Sequence, residues 1–165
     1  MDSKRLSGFR YSGMKVFSTN KKAHYLYEIS EKFEAGMSLE GWEVRSIREG
    51  RLNLNQAHAK IKDGELWIIG SHIAPLPQSS QSQDSTRDRK LLLKKKQILD
   101  IDRKIEPKGV TVVPLKAYQS RGRIKIEIAI GKGRTKADKR SRILEELDRR
   151  DAKESVKRAM RGGDY

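Results

Sequence analysis

The clearest chemical signal in this sequence is a basic stretch, residues 131–142, that directly follows a segment of alternating isoleucines. The stretch contains six cations and a single anion, Asp138, and it has glycines at positions 131 and 133. Lysine and arginine neutralise phosphates and release bound counterions, while glycine lets the backbone approach a phosphate chain closely. The pattern therefore indicates a hinge between a folded body and an arm that binds RNA. A solvated, disordered tail is the alternative interpretation of such a charge run.

Groups that could perform catalysis or bind a metal are scattered along the chain. The three histidines, His24, His58 and His72, lie in separate segments, and the chain contains no cysteine. Disulfides and cysteine-based zinc sites are thereby excluded, and the glycines at 131 and 133 lack the frame of a phosphate-binding loop. The enzymatic alternative is a magnesium-dependent nuclease that uses glutamates between Glu28 and Glu43, although such residues are ordinarily plain surface. We expect no catalysis, no cofactor and no metal site.

The overall charge favours a polyanionic partner. The 165 residues carry a formal net charge of +15, and 36% of them are charged. Such an excess points first to nucleic acid and second to an anionic membrane surface. The sequence contains neither an apolar run long enough to span a membrane nor the apolar centre of a secretory signal near its start. We therefore expect a cytoplasmic protein that binds RNA and does not bind a membrane.

The elements that must position these residues begin with a strand. Alternating side chains over residues 25–33 predict this strand, and Gly36 is expected to turn the chain after it. The adjacent His24 and Tyr25 could stack on a nucleic-acid base, or they could lie on ordinary surface.

A helix and a hairpin are predicted next. Ser38 is expected to cap a helix that ends at Gly50 and carries Arg45 on its outer face. The dipeptide Asp63-Gly64 lies between two alternating segments, which is typical of a two-residue hairpin turn.

The middle of the chain predicts a loop and a second helix. Residues 75–83 are rich in proline, serine and glutamine and are expected to be disordered. Ser85 and Asp88 resemble a capping box, and apolar residues over 91–105 form a helical stripe that Pro107 would end.

Two further strands are predicted over residues 110–115 and 124–130, separated by a polar turn at 120–123. In the second strand the isoleucines share the core face, while Lys125 lies on the outward face. Beyond Asp138 the helical propensity is good but apolar residues are sparse. This last segment is expected to be poorly ordered in the free protein and helical on a partner.

These elements predict a mainly β fold with flanking helices, an antiparallel barrel of the oligonucleotide-binding type. We divide the chain into a flexible leader, residues 1–19, a barrel domain, residues 20–131, and a basic C-terminal tail, residues 132–165. Met14 is a possible alternative start. The expected oligomeric state is a monomer.

Several motifs, taken in order, resemble the SmpB family of small proteins that partner transfer-messenger RNA (tmRNA) in bacteria. The motifs are Asn20-Lys21-Lys22-Ala23, residues 33–36, residues 41–50, Asp63-Gly64-Glu65, residues 87–93, residues 108–116, Lys132-Gly133 and Asp138-Lys139-Arg140. The chain departs from the family where Tyr25 and Leu26 stand in place of a histidine and an acidic residue.

The resemblance implies a barrel that holds the tRNA-like domain of tmRNA and a tail that enters the small subunit of a stalled 70S ribosome. There the tail would contact ribosomal RNA at the decoding centre and in the empty messenger channel, becoming helical. The protein would deliver alanyl-tmRNA with elongation factor Tu for trans-translation, without making or breaking a bond. The alternative is a structural ribosomal protein or a general RNA-binding protein.

Combined with the resemblance, the residue patterns select two sets of candidate residues. Those expected to bind tmRNA are Lys21, Lys22, His24, Tyr25, Glu34, Arg45, Lys125, Lys132, Gly133 and Arg134. Those expected to bind the ribosome are Lys136, Asp138, Lys139, Arg140 and Arg142. A carboxylate cannot attract phosphate, so Glu34 is expected to accept a hydrogen bond from a base or a 2′-hydroxyl group, or to order a neighbouring arginine.

Overall fold

The structure is a computed structural model that describes residues 14–77 and 83–161, and antiparallel strands form most of its body. The strands are β1 (Val16–Thr19), β2 (Tyr27–Met37), β3 (Leu52–Asn53), β4 (His58–Lys62), β5 (Glu65–Ile69), β6 (His72–Ile73), β7 (Arg89–Leu92), β8 (Val110–Ser120) and β9 (Arg123–Gly133). The helices are α1 (Ala23–Leu26), α2 (Gly41–Arg48), α3 (Lys95–Lys104) and α4 (Lys136–Arg161).

Six of the strands form an antiparallel barrel. Their pairing follows the order β8, β4, β5, β7, β2 and β9, and β9 pairs again with β8. One edge of β8 is shared, because β4 pairs with it at Val112 and β1 pairs with it over residues 116–118. Strands β3 and β6 form a separate two-stranded sheet. The predicted class, a mainly β antiparallel fold with flanking helices, is confirmed.

The inside of the barrel is filled by the side chains that the alternation of apolar and polar residues predicted to face the core. Ile124, Ile126, Ile128 and Ile130 are all buried, as the period of two predicted. Neighbouring strands contribute further buried residues to the same core, among them Leu66, Ile68, Leu91 and Val112.

Both predicted turns between strands are present, and both are tight. Asp63 and Gly64 have φ angles of 52° and 74°, and Arg121 and Gly122 have φ angles of 51° and 74°. Positive φ at both central residues is typical of the two-residue turns that match the twist of a hairpin. Strands β8 and β9 are therefore longer than predicted, because they pair right up to this second turn.

The prediction that Gly36 turns the chain and that Ser38 caps the next helix is wrong. Gly36 lies inside β2, paired with Leu92 on one side and Lys125 on the other. Helix α2 instead begins after Glu40, whose backbone N–H donates to Glu43 Oε1 at 2.8 Å. An acidic capping pair therefore replaces the predicted serine cap.

The prediction of one helix over residues 91–105 is also wrong. Residues 89–92 form β7, in which Leu91 pairs with Leu66 and with Met37, and α3 begins only after Lys94. The backbone N–H of Lys94 donates to Gln97 Oε1 at 3.1 Å. Burial of Leu91 between two strands overrides the helical spacing of the leucines.

Two other boundaries differ from the sequence analysis. Residues 16–19, predicted to belong to the flexible leader, form strand β1, and the first part of the predicted strand, residues 25–26, belongs to α1. The rest of the leader, residues 1–13, and most of the predicted loop, residues 78–82, lie outside the described residues.

The basic stretch forms a strand end and a helix. Gly131 and Gly133 both belong to β9, so the link between barrel and tail is reduced to two residues, 134–135. A Cβ atom on Gly131 would lie 2.9 Å from Cβ of Tyr27. Position 131 therefore requires glycine because the two strands pack closely there, and not because a phosphate chain approaches the backbone. The tail, predicted to be poorly ordered until it meets a partner, is helical in the structure as α4, with no residue buried.

A buried ionic network ties α2 to the barrel. The carboxylate of Glu43 accepts hydrogen bonds from Arg87 and from Nε of Arg89, and both Glu43 and Arg89 are 0% exposed. The remaining nitrogens of Arg89 donate to the Ser71 carbonyl at 3.1 Å, to Ser71 Oγ at 2.9 Å and to the Ser85 carbonyl at 3.1 Å. Three segments distant in sequence therefore meet at one guanidinium group.

We predict that Glu43→Gln lowers the free energy of unfolding by about 3 kcal/mol, because it leaves the buried guanidinium charge of Arg89 without its counter-charge. Urea unfolding at pH 7 measures this change. The matched control is Glu65→Gln, which breaks the exposed pair with Lys90 and should cost less than about 1 kcal/mol. Equal losses in the two variants would contradict the prediction.

The same carboxylate makes the protein sensitive to acid. Burial alone would raise the pKa of Glu43, but hydrogen bonds from the Glu40 backbone, Arg87 and Arg89 prevail and lower this pKa below its ordinary value of 4.5. Because the folded pKa is the lower one, Glu43 stabilises the fold fully above pH 4.5, and this contribution is lost as pH falls through the folded value. Below pH 4.5 the stability of wild type should therefore fall more steeply than that of Glu43→Gln.

Candidate RNA-binding surface

The outward face of β2, β9 and β8 presents a regular array of polar side chains. Pairing places Glu34 opposite Glu127, and Glu127 in turn opposite Lys116. In the next row, Gly36 lies opposite Lys125, and Lys125 lies opposite Tyr118. Two of the sequence-predicted residues, Glu34 and Lys125, are thus brought to neighbouring strands of one face.

Gly36 provides space for the Lys125 side chain. A Cβ atom at this glycine would lie 3.6 Å from Nζ of Lys125 and 3.3 Å from Cβ of Leu92. The ammonium group therefore lies over the bare backbone of β2 and not over β9 alone. The tighter contact of an added Cβ atom would be with Leu92, while its contact with the ammonium group would be an ordinary van der Waals contact.

A groove of about 430 Å³ continues from Lys125 toward helix α2. Its rim carries three cations, Arg48, Arg123 and Lys125, and its lining includes apolar residues from α2, β2, β7 and β9. The apolar members are Met37, Leu39, Val44, Leu92 and Ile124. A cationic rim above an apolar floor suits an RNA backbone with an unstacked base.

Sequence reasoning did not select Arg48, Arg123 or Leu92 as site residues. Leu92 is 51% exposed, although its pattern placed it in the apolar stripe of a helix. The pairing of β7 with β2 exposes it beside Gly36. The exposure of Leu92 could be predicted only by knowing that β7 pairs with β2.

A second cleft lies between α1 and the tail helix α4 and has a volume of about 350 Å³. Four predicted residues line it, namely Lys21, His24, Tyr25 and Arg142, together with Glu145, Glu146 and Arg149. The body and the tail thus share one concave surface. Its two carboxylates make it less cationic than the groove beside Lys125, whose lining, among the described residues, has no carboxylate.

His24 is neutral in this setting. Partial burial, followed by the nearby charges of Lys32, Arg142 and Arg134, lowers the pKa of His24 below its ordinary value of 6.5. At pH 7 the imidazole therefore contributes a flat polar ring to the cleft and no charge.

The junction between barrel and tail is held by hydrogen bonds. The Arg134 backbone N–H donates to the Leu26 carbonyl at 2.9 Å, and Arg134 Nε donates to the His24 carbonyl at 3.3 Å. Arg134 thus satisfies carbonyl groups at the end of α1, a preferred place for a cation.

Asp138 forms the start of the tail helix. Thr135 N–H and Thr135 Oγ1 donate to Asp138 Oδ2 at 3.3 Å and 2.7 Å, and Asp138 N–H donates to Thr135 Oγ1 at 3.2 Å. These bonds from the Thr135 side chain and backbone lower the pKa of Asp138. In the structure Thr135 is therefore the N-cap of α4, and Asp138, three positions later, is the acidic partner in this capping pair.

The other predicted residues are distributed over the surface and do not form one site. Lys22, Arg45, Lys132, Gly133, Lys136 and Arg140 are exposed, and Lys139 is half-buried. Lys132 and Gly133 pair with Glu28 and Tyr27 in the ladder between β9 and β2. Arg45 lies on the outer face of α2, as predicted.

The glutamates considered for a nuclease have other partners. Glu31 is paired with Lys104, and Glu43 belongs to the buried network. Within residues 14–77 and 83–161, no group of three or more histidine, aspartate or glutamate side chains is arranged to hold a metal ion. In the same ranges no helix is both long and apolar enough to cross a membrane.

Comparison with known proteins identifies relatives along most of the chain. Residues 17–162 match the family model described as SmpB protein. An SsrA-binding protein of Trichormus variabilis is 46% identical over 145 residues, covering 87% of this chain and 94% of that protein. An SsrA-binding protein of Dechloromonas aromatica is 47% identical over 146 residues, covering 87% of this chain and 98% of that protein.

A solved structure also matches the fold. It is described as "tmRNA-SmpB: a journey to the center of the bacterial ribosome", and it superposes with a TM-score of 0.61 at 37% identity. The match covers 76% of this chain and 93% of that chain. The family model covers most of the chain and the fold agrees with that of a solved relative, and the chain accordingly belongs to the SmpB family.

Proposed function

We propose that this protein binds tmRNA, the SsrA RNA, and delivers its alanyl-charged form to stalled ribosomes for trans-translation. The outward face of β2, β9 and β8, with the groove beside Lys125, binds the tRNA-like domain. Helix α4 occupies the decoding centre and the empty messenger channel of the small subunit. Relatives named SsrA-binding protein support the RNA partner, and the match to a solved structure of tmRNA-SmpB on the bacterial ribosome supports the ribosomal partner.

The observation that carries this proposal is a long helix that buries none of its side chains against the rest of the protein. Helix α4 has 26 residues, so it is about 39 Å long, and none of its side chains is buried. Ile143, Leu144 and Leu147 are roughly half exposed, and Met160 is 79% exposed. Most helices owe their stability to packing of an apolar face, so α4 needs an external partner to supply it. A channel lined with ribosomal RNA would satisfy both its apolar and its basic side chains.

The remaining features follow from this role. Binding and delivery require no covalent chemistry, so we infer that the protein is not an enzyme and needs no cofactor. Elongation factor Tu would take part indirectly, through the aminoacylated end of tmRNA. We further infer a cytoplasmic monomer, because both RNA partners are cytoplasmic and the barrel presents its binding face without a second copy.

We predict that ending the chain after Thr135 leaves affinity for the tRNA-like domain within about threefold of wild type and abolishes rescue of stalled ribosomes. The cut removes α4 and the four residues after it and leaves the barrel intact, because β9 ends at Gly133. Gel-shift titration measures the first property, and tagging of nascent peptides in a reconstituted translation system measures the second.

A flexible Gly/Ser segment of the same length in place of residues 136–165 is the control for chain length, and it should be equally inactive in rescue. Loss of RNA affinity on truncation would show that the barrel does not bind tmRNA alone. Equal amounts of the protein on translating and stalled ribosomes would support the alternative, a structural ribosomal component.

We predict that Lys125→Ala weakens binding of the tRNA-like domain by about 1 kcal/mol and reduces the slope of log K against log salt by about one unit. Removing one phosphate contact has both effects, since each contact releases counterions. Lys60→Ala removes the same charge from β4 and should change neither quantity. An unchanged slope for Lys125→Ala would place this side chain outside the interface.

A further inference from the structure

The outward face of β2, β9 and β8 contains a buried tyrosine that reaches an exposed carboxylate. The hydroxyl group of Tyr118 donates to Oε2 of Glu34, 84 positions away. Tyr118 is 4% exposed, whereas Glu34 is exposed to solvent. Strand β9 lies between the strands of these two residues, so the phenol crosses the outer face of β9 to make the bond.

The register of the three strands fixes where this bond lies. Tyr118 is opposite Lys125, while Glu34 is opposite Glu127, two positions further along β9. The bond therefore runs diagonally between the Lys125 and Glu127 side chains. Lys116 Nζ lies 5.9 Å from the centre of the Tyr118 ring, which adds a cation–π contact to the phenol.

Such a bond reduces the freedom of a side chain that is otherwise mobile. An exposed glutamate loses rotamer entropy when it is immobilised by a ligand, and a glutamate held beforehand loses less. A carboxylate accepts through two oxygens with about four lone-pair sites, so the bond from Tyr118 leaves capacity for further donors. The bond from Tyr118 thus holds the Glu34 carboxylate ready to accept a further hydrogen bond. Because the Tyr118 ring is buried, it holds the carboxylate rigidly.

We propose that Tyr118 is a positioning residue for RNA recognition, which holds the Glu34 carboxylate in the orientation that accepts a hydrogen bond from bound RNA. This inference rests on the proposed function, in which Glu34 contacts tmRNA. Tyr118 has no charge and neutralises no phosphate, so its contribution is independent of salt. That property separates it from Lys125 on the same face.

The test is a double-mutant cycle with Tyr118→Phe and Glu34→Ala, with affinity for the isolated tRNA-like domain of tmRNA measured at several salt concentrations. Tyr118→Phe removes the hydroxyl group and keeps the buried ring. We expect it to weaken binding about fivefold in the wild-type background, the effect of losing one hydrogen bond. In the Glu34→Ala background it should cause no further weakening, and the salt slope and the melting temperature should stay unchanged.

The matched control is a second cycle with Glu65→Ala in place of Glu34→Ala. Glu65 lies on β5, which pairs with none of the three strands of the binding face, and it contacts Lys90. Tyr118→Phe should retain its fivefold effect in that background, because the two sites share no partner.

Three other results of the double-mutant cycle would contradict the proposal. Equal weakening by Tyr118→Phe with and without Glu34 would mean that the tyrosine acts through barrel structure, and the positioning role would be wrong. Weakening by Glu34→Ala alone, with Tyr118→Phe silent, would overturn the positioning role and leave the proposed function intact. Unchanged affinity for Glu34→Ala would place Glu34 outside the interface, so that both its contact with tmRNA and the positioning role of Tyr118 would be wrong.

Discussion

Strand β9 is the element on which the rest of the structure depends, because it is hydrogen-bonded along both edges, to β2 and to β8. Its alternating side chains send Ile126 and Ile128 into the core and present Lys125 and Glu127 outside. A slip of one residue would exchange the two faces, so burial of the isoleucines also fixes the register of the outer residues. The precise arrangement of side chains on the proposed RNA-binding face is therefore a consequence of core packing.

Charged side chains have two different roles in this protein, one in the interior and one at the surface. Inside, the Glu43 carboxylate and the Arg89 guanidinium group are fully desolvated and saturated with hydrogen bonds from three segments. A buried pair of this kind adds little net stability over an apolar pair, but it is costly to break and so it specifies which segments meet. Outside, the net charge of +15 remains to attract a polyanion. Excess charge thus lies where a ligand can reach it.

Barrel and tail are closely coupled, with two residues between the last paired residue of β9 and the first residue of α4. Arg134 connects this link to the carbonyl groups of α1, and the bonds between Thr135 and Asp138 begin the helix at once. The direction in which α4 leaves the barrel therefore depends on α1. The proposed function, in which the barrel binds one RNA and the tail another, requires such a defined junction more than a flexible hinge.

Local patterns in the sequence determined the antiparallel class, the hairpin at Asp63-Gly64, the isoleucine face of β9, the surplus of positive charge and the family. These features depend on side chains a few positions apart, whose periodicity and turn chemistry act within a single element. Tertiary structure alone decided that residues 89–92 form a strand and not a helix, that Arg89 meets Glu43 from 46 positions away, and that Tyr118 reaches Glu34. Those outcomes depend on which strands become neighbours when the barrel closes, and a period of two or 3.6 residues contains no information about a partner so distant along the chain.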